Sequence, residues 1–241
     1  MTVNMESIKT AVPKHIAIIL DGNRRFAKRL MLKPWQGHEW GAKKVEKILD
    51  WCREYGAKEL TLYCFSIENF HSRPKPEFDY LMNLFEKEYT SLKDDPRLKK
   101  NDIRINFIGR IWLFPEKIQK LMKELMEKTK AHKQFIVNFA MAYGGQSEIV
   151  DATKKIAEQV KQGTLDINQI NEEVFAKSLY LNSEPEMIIR TGGEKRTSNF
   201  LNFQAAYSEW FFIEKMWPEF EKEDLAQCLE EYKSRSRRLG A

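Results

Sequence analysis

The 241-residue chain is 42% hydrophobic, enough for one sizeable core, and its formal charge of +5 suits an anionic partner without naming one. Its three cysteines, Cys52, Cys64 and Cys228, and its four histidines, His15, His38, His71 and His132, show no metal-ligand spacing, which argues against structural zinc and for a reducing cytoplasm. No apolar run approaches the roughly 18 residues that span a bilayer, no basic-then-apolar leader is visible, and no linker divides the chain, so residues 1–241 read as a single cytoplasmic domain.

In chain order, residues 16–20 form a continuous apolar run with strand character. Residues 37–55 follow as a helix, with Val45, Ile48, Leu49 and Cys52 at helical spacing and Gly56 as its C-terminal cap. Residues 60–65 read as a strand and 76–92 as a helix striped with Phe78, Leu81, Leu84, Phe85 and Tyr89. A third strand at 103–108 precedes a helix at 116–130 that Pro115 opens. The strand at 135–143 stops at Gly144-Gly145, and helices at 147–162 and 171–179 follow. Strands at 187–191 and 210–213 and a charged amphipathic helix at 221–239 close the chain. Alternating apolar strands and helices predict an α/β fold, a single domain with a mostly parallel central sheet and helices on both faces.

Chemistry concentrates in two segments. Asp21-Gly22-Asn23-Arg24-Arg25 follows the first strand, and Arg190-Thr191-Gly192-Gly193-Glu194-Lys195-Arg196-Thr197-Ser198-Asn199 ends a late one. Glycines let backbone approach a ligand closely, and N–H groups and guanidinium forks match phosphate oxygens. A carboxylate beside them makes sense if a divalent cation bridges it to those phosphates. In parallel sheets ligands bind at the carboxyl ends of strands, where Asp21, Ser66, Tyr143 and Arg190 all fall, so sequence distance is no obstacle to a common site. G-x-x-x-x-G-K-[ST] and G-x-G-x-x-G are both absent, and Asp94-Asp95 lacks the further acidic position of all-trans prenyl synthases.

Five motifs in order now resemble the cis-prenyltransferases, the undecaprenyl and dehydrodolichyl diphosphate synthase family. They are the run from His15 to Arg25, Gly37-His38, Phe65-Ser66-Ile67-Glu68-Asn69-Phe70, Ala142-Tyr143-Gly144-Gly145, and the run from Arg190 through Ser198-Asn199-Phe200 and Gln204 to Glu209. Arg24, Phe26 and Phe70 are more similar to archaeal and eukaryotic members than to bacterial ones. The resemblance implies Mg2+-dependent condensation of isopentenyl diphosphate onto an allylic diphosphate primer, farnesyl or geranylgeranyl diphosphate, with a cis double bond in each added unit. It assigns Asp21 to the metal and to catalysis, with Glu209 as a second metal carboxylate. Asn69 would orient the group that loses its proton. Gly22, Asn23, Arg24, Arg25, His38, Ser66, Ile67, Glu68, Phe70 and Arg73 would bind the allylic diphosphate, and Arg190, Arg196, Thr197 and Ser198 the isopentenyl diphosphate. Arg238 and Gly240 match a C-terminal motif that reaches across a homodimer. Peripheral membrane contact would follow from a lipid product.

Three departures qualify the match. Pro34, with Lys33 beside it, stands where the family has an Arg, one extra residue separates Asn69 from Arg73-Pro74, and Gln146 replaces an Arg. Irregular or short-chain prenyl coupling by the same site is therefore an alternative. A non-catalytic partner subunit is a second, although the retained Asp21, Asn69, Arg190 and Arg196 speak against it. A basic nucleic-acid binder lacks any recognised motif, so no nucleic acid is expected.

Overall fold

The computed structural model describes residues 12–235. β1 (His15–Ile19) is apolar without alternation from Ile16 onward and buried along its whole length, as a strand covered on both faces must be. With β2 (Glu59–Ser66), β3 (Ile103–Ile108), β4 (Phe135–Tyr143), β5 (Met187–Arg190) and β6 (Glu209–Phe212) it makes one sheet, in the order β3-β4-β2-β1-β5-β6. Every pairing is parallel.

The helices are α1 (Asn23–Arg29), α2 (Gly37–Tyr55), α3 (Ile67–Ser72), α4 (Lys75–Lys93), α5 (Pro96–Lys100), α6 (Glu116–Thr129), α7 (Gly145–Lys161), α8 (Glu172–Ser178) and α9 (Lys222–Ser234). Two of them, α3 and α5, are too short to show a period in the sequence. Each is started instead by a side-chain cap: Ser66 Oγ accepts the Asn69 N–H, and the Asp95 carboxylate accepts that of Arg97.

Period-two alternation divides the core. Ile16 and Ile18 pack with Ile48 and Cys52 of α2, Leu81 of α4, Met122 and Leu125 of α6, and Leu225 and Leu229 of α9. Ala17 and Ile19 face the other way, toward Ile188, Phe200 and Leu201. Each large apolar side chain withdrawn from water contributes about 1.5–3 kcal/mol, so this two-sided burial fixes β1 in the centre of the sheet.

That central position creates the site. β1 passes the chain to β2 on one flank, whereas β5, its neighbour on the other, passes it to β6. The two loops leave in opposite directions and part a crevice at the carboxyl edge.

Candidate active site

Ile19 of β1 is in register with Arg190 of β5, so the loop carrying Asp21 faces the end of β5 across the crevice. The buried Arg190 guanidinium joins the two chemical segments, which lie 169 residues apart. Its Nη2 donates to Asp21 Oδ2 at 2.8 Å, and its Nη1 donates to the Arg196 carbonyl and to Ser198 Oγ, each at 2.6 Å. Asp21 Oδ1 accepts the Gly22 N–H at 2.6 Å and Arg25 Nη2 at 3.2 Å. Glu194 lies 3.5 Å from Arg25 and 2.5 Å from Arg196.

Backbone conformation explains why glycine recurs here. Gly192 has φ 86°, and a Cβ on it would lie 2.6 Å from Arg25 Nη2 and 3.1 Å from the Asp21 carbonyl carbon. Ser198 and Asn199 hold φ of 51° and 61° without being glycine. Such strain persists only where surroundings over-determine it, and here the Arg190 bond to Ser198 does so.

The facing wall comes from α1, α2 and the segment between α3 and α4. The N–H groups of Asn23, Arg24 and Arg25 begin α1 and have no acceptor within that helix. His38 Nε2 lies 3.3 Å from Arg73 Nη1. Burial, with Arg73 and then Arg24 adding repulsion, pushes the His38 imidazole down to about 3, so it is neutral at physiological pH and supplies a hydrogen bond rather than charge. Arg73 is held by Glu77, one turn into α4, whose carboxylate also lies 3.5 Å from Arg24. Burial lowers the Arg73 pKa and the Glu77 carboxylate opposes that shift.

Asp21, Gly22, Asn23, Arg24, Arg25, His38, Ser66, Glu68, Asn69, Arg73, Arg190, Arg196 and Ser198 line one cleft of about 750 Å³. Asn199 closes one side and donates to Glu68 at 2.8 Å. A second cavity of about 140 Å³ runs between α2 and α4, walled by Val45, Leu49, Leu81, Leu84, Phe85 and Leu92. Leu20, Asn23, His38 and Cys64 line both. A charged cleft that continues into an apolar cavity fits a ligand with an anionic head and a hydrocarbon tail.

Several expected site residues lie elsewhere. Ile67 is buried against Gly144, and Phe70 packs among Phe65, Phe78 and Phe114. Thr197 is exposed and does not line the cleft. Glu209 is not brought to Asp21 within this chain. It begins β6 in register with Met187, at the amino edge, and pairs with Arg235 at 3.3 Å. At the strand rise of about 3.3 Å per residue, that edge is roughly 15 Å from Asp21. The acidic residue that follows β6 at the carboxyl edge is Glu214, whose Oε2 would lie 2.8 Å from a Cβ on Gly193. Lys33 is also outside the cleft, its ammonium 5.6 Å over the Trp35 ring, whereas Arg73 lines it. Arg238 and Gly240 fall outside the described residues. Sequence reading missed Lys28 and Tyr63, which line the cleft, and Glu77, for which the four-residue spacing from Arg73 was the available signal.

A switch-point crevice with the Asp21 carboxylate among a set of guanidinium groups and an adjoining apolar cavity defines an α/β protein built for amphiphilic phosphate esters. The family model described as putative undecaprenyl diphosphate synthase matches residues 19–240. The chain is 47% identical to a tritrans,polycis-undecaprenyl-diphosphate synthase (geranylgeranyl-diphosphate specific) of Pyrococcus horikoshii, over 98% of this chain and 90% of that one. It is 41% identical to an isoprenyl transferase of Thermus thermophilus, over 95% and 89% respectively. The crystal structure of lavandulyl diphosphate synthase from Lavandula x intermedia, in complex with dimethylallyl diphosphate, superposes with a TM-score of 0.91 at 33% identity, covering 96% of this chain and all of that one. The chain belongs to the undecaprenyl diphosphate synthase family and is a cis-prenyltransferase of the archaeal type.

Proposed function

We propose that the protein elongates geranylgeranyl diphosphate by successive cis additions of isopentenyl diphosphate, yielding a polyprenyl diphosphate for a glycosyl-carrier lipid. The observation that carries this reading is the continuity between the charged cleft and the apolar cavity, and the primer follows from the geranylgeranyl-diphosphate specificity of the archaeal relatives. The primer's diphosphate would rest on the α1 N–H groups, Arg25, His38 and Arg73, with its tail in the cavity between α2 and α4. Isopentenyl diphosphate would be held by Arg190, Arg196 and Ser198. As the bond from primer C1 to diphosphate oxygen breaks, C4 of isopentenyl diphosphate bonds to C1 and a proton leaves its C2. Asn69 is too weak a base to remove that proton alone. Its amide orients the acceptor, and the proton passes to diphosphate oxygen.

Negative charge grows on the departing diphosphate, and donors fixed in place before the reaction oppose it without reorganising. Losing one such donor costs about 3–4 kcal/mol. The donor set also fits Mg2+, since that ion keeps waters and is held by one or two carboxylates together with substrate phosphates. Asp21 offers one carboxylate at the cleft, and among the described residues no group of three or more His, Cys, Asp or Glu side chains forms a cage. Bound there, Mg2+ would neutralise diphosphate charge.

The test is incubation with Mg2+, labelled isopentenyl diphosphate and primers of two to four isoprene units, followed by sizing of the products. Ladders longer than the primer support the reading, and absence of elongation refutes it. The lavandulyl synthase likeness favours one second reading, irregular coupling of short units, which would give a branched product from dimethylallyl diphosphate alone. We further propose a homodimer, to be checked by sedimentation; a monomer with full turnover would refute it. A partner-subunit role would be revealed by absence of turnover until a second chain is added.

A further inference from the structure

Beside the cleft the chain presents apolar side chains to water. After α1 it turns through Leu30, Met31 and Leu32, which are 43%, 95% and 38% exposed, and Trp40 in the first turns of α2 is 49% exposed. These groups are neighbours. The Leu30 N–H donates to the Phe26 carbonyl at 3.2 Å, the Leu32 N–H donates to that of Ala27 at 2.9 Å, and the Phe26 ring meets Trp40 edge-on at 5.7 Å. Met31 is held at φ 58°, a conformation that strains any residue with a Cβ. That left-handed turn closes α1, with the Met31 N–H donating to the Lys28 carbonyl and the Leu32 N–H to that of Ala27, and it leaves an adaptable apolar side chain projecting from the surface.

Cations rim the projection. Lys28 and Arg29 occupy the last turn of α1, Lys33 follows, and the Lys43 ammonium lies 6.0 Å over the Trp40 ring. Of the nearby carboxylates, Glu219 is paired with Arg29 at 2.6 Å and Glu39 accepts the Tyr80 hydroxyl. Among the described residues, Lys28, Lys33 and Lys43 are in no ion pair, so the surplus charge faces outward.

We propose that the turn at residues 30–32, Trp40 and their lysine rim form a docking surface for an anionic lipid bilayer. The apolar tip would enter the acyl boundary, Trp40 would sit at the interface, and the lysines would reach headgroup phosphates. No helix among the described residues is long and apolar enough to cross a membrane, so the contact is peripheral. A second copy of this chain is the poorer occupant, because an isologous contact would set each lysine rim against its own copy. Placement gives the surface a use. Lys28 lines the charged cleft, and Gly41 and Ala42, next to Trp40, line the apolar cavity. Docking therefore brings both openings toward lipid, where a long apolar product belongs; this last consequence rests on the proposed reaction, while the surface does not.

The experiment is co-sedimentation of the full chain with phosphatidylcholine vesicles and with vesicles that also contain phosphatidylglycerol. Wild type should bind the anionic vesicles and lose them as salt is raised. Met31→Asp should weaken that binding by about tenfold or more, and Lys33→Glu with Lys43→Glu by a similar factor. Turnover of a short, water-soluble primer should be unchanged in these variants, which shows them folded. Equal binding to neutral and anionic vesicles, or undiminished binding by Met31→Asp, would overturn the proposal. So would absence of vesicle binding combined with self-association that Met31→Asp abolishes, since the patch would then join two copies. Vesicle binding by a protein that elongates no primer would remove the proposed reaction and leave the surface standing.

Discussion

Glu77→Gln separates the structural duty of a buried ion pair from its part in binding a diphosphate. The Glu77 side chain is 2% exposed, accepts from Arg73 and lies 3.5 Å from Arg24. Arg73 is itself nearly enclosed, with its guanidinium carbon 5.3 Å from the Phe65 ring centroid and no acceptor for its Nε. Glutamine keeps an acceptor in place but removes the negative charge. A hydrogen bond to a charged group contributes about 1.5–3 kcal/mol, so the variant should lose about 2 kcal/mol of stability. For a domain of this size that corresponds to a fall in melting temperature of roughly 4–8 °C. Inorganic pyrophosphate should then stabilise the variant more than the wild type, because it returns to Arg73 the negative charge that Glu77 supplied, and at least half of the deficit should vanish. Calorimetric melts of both proteins with and without saturating pyrophosphate provide the measurement. If pyrophosphate raises both melting temperatures equally, Arg73 does not touch the diphosphate, and its pairing with Glu77 serves the fold alone.

Asp21→Asn leaves Arg190 an acceptor, so melting should change little while turnover falls by about a hundredfold to a thousandfold; near-wild-type turnover would sink the metal assignment. Arg196→Ala should raise KM for isopentenyl diphosphate far more than KM for the primer, and equal effects would mean that the two subsites are reversed. Gly192→Ala should cost about 1–2 kcal/mol through its left-handed backbone and displace Arg25, visible in urea melts as a lower midpoint together with a higher primer KM. His38 has a folded pKa of about 3 against an ordinary 6.5, so the unfolded chain takes up the proton first. Its contribution to stability is complete above about pH 6.5 and erodes by about 1.4 kcal/mol per pH unit as pH falls toward 3. His38→Gln should flatten that part of a stability-versus-pH curve. A remaining slope is expected from His15, which burial also holds below its usual range, and an unchanged slope would refute the assignment.

The sheet was legible in the sequence because its strands are continuous apolar runs. Those at 103–108 and 135–143 were placed to the residue, and β1, β2, β5 and β6 to within one. The cleft was legible for a related reason: residues just past parallel strands must gather at one edge, which brings Asp21, Ser66 and Arg190 together. The same reasoning, applied to Glu209, puts it at the amino edge, where the structure has it, since that residue begins its strand rather than following it. Only the resemblance made it a second metal carboxylate. Ile67 and Phe70 were drawn into the site by their neighbours in the motif, yet on a short helix alternate residues point in different directions and these two turn to the core. Glu77 was missed because a charged residue early in an amphipathic helix ordinarily faces solvent, and its burial follows from Arg73 being already inside.

The central place of β1 also sets an order of events during synthesis. β1 can join β2 once about sixty residues exist, but its other edge pairs with β5, whose residues follow more than a hundred positions later. Until then the growing chain presents an apolar strand with one open ladder of N–H and C=O groups, the arrangement most prone to joining another chain. Asp21 is equally without Arg190 for that whole interval. Nascent chains halted before residue 187 should therefore aggregate readily and bind no pyrophosphate, and both properties should reverse together when β5 and β6 are complete.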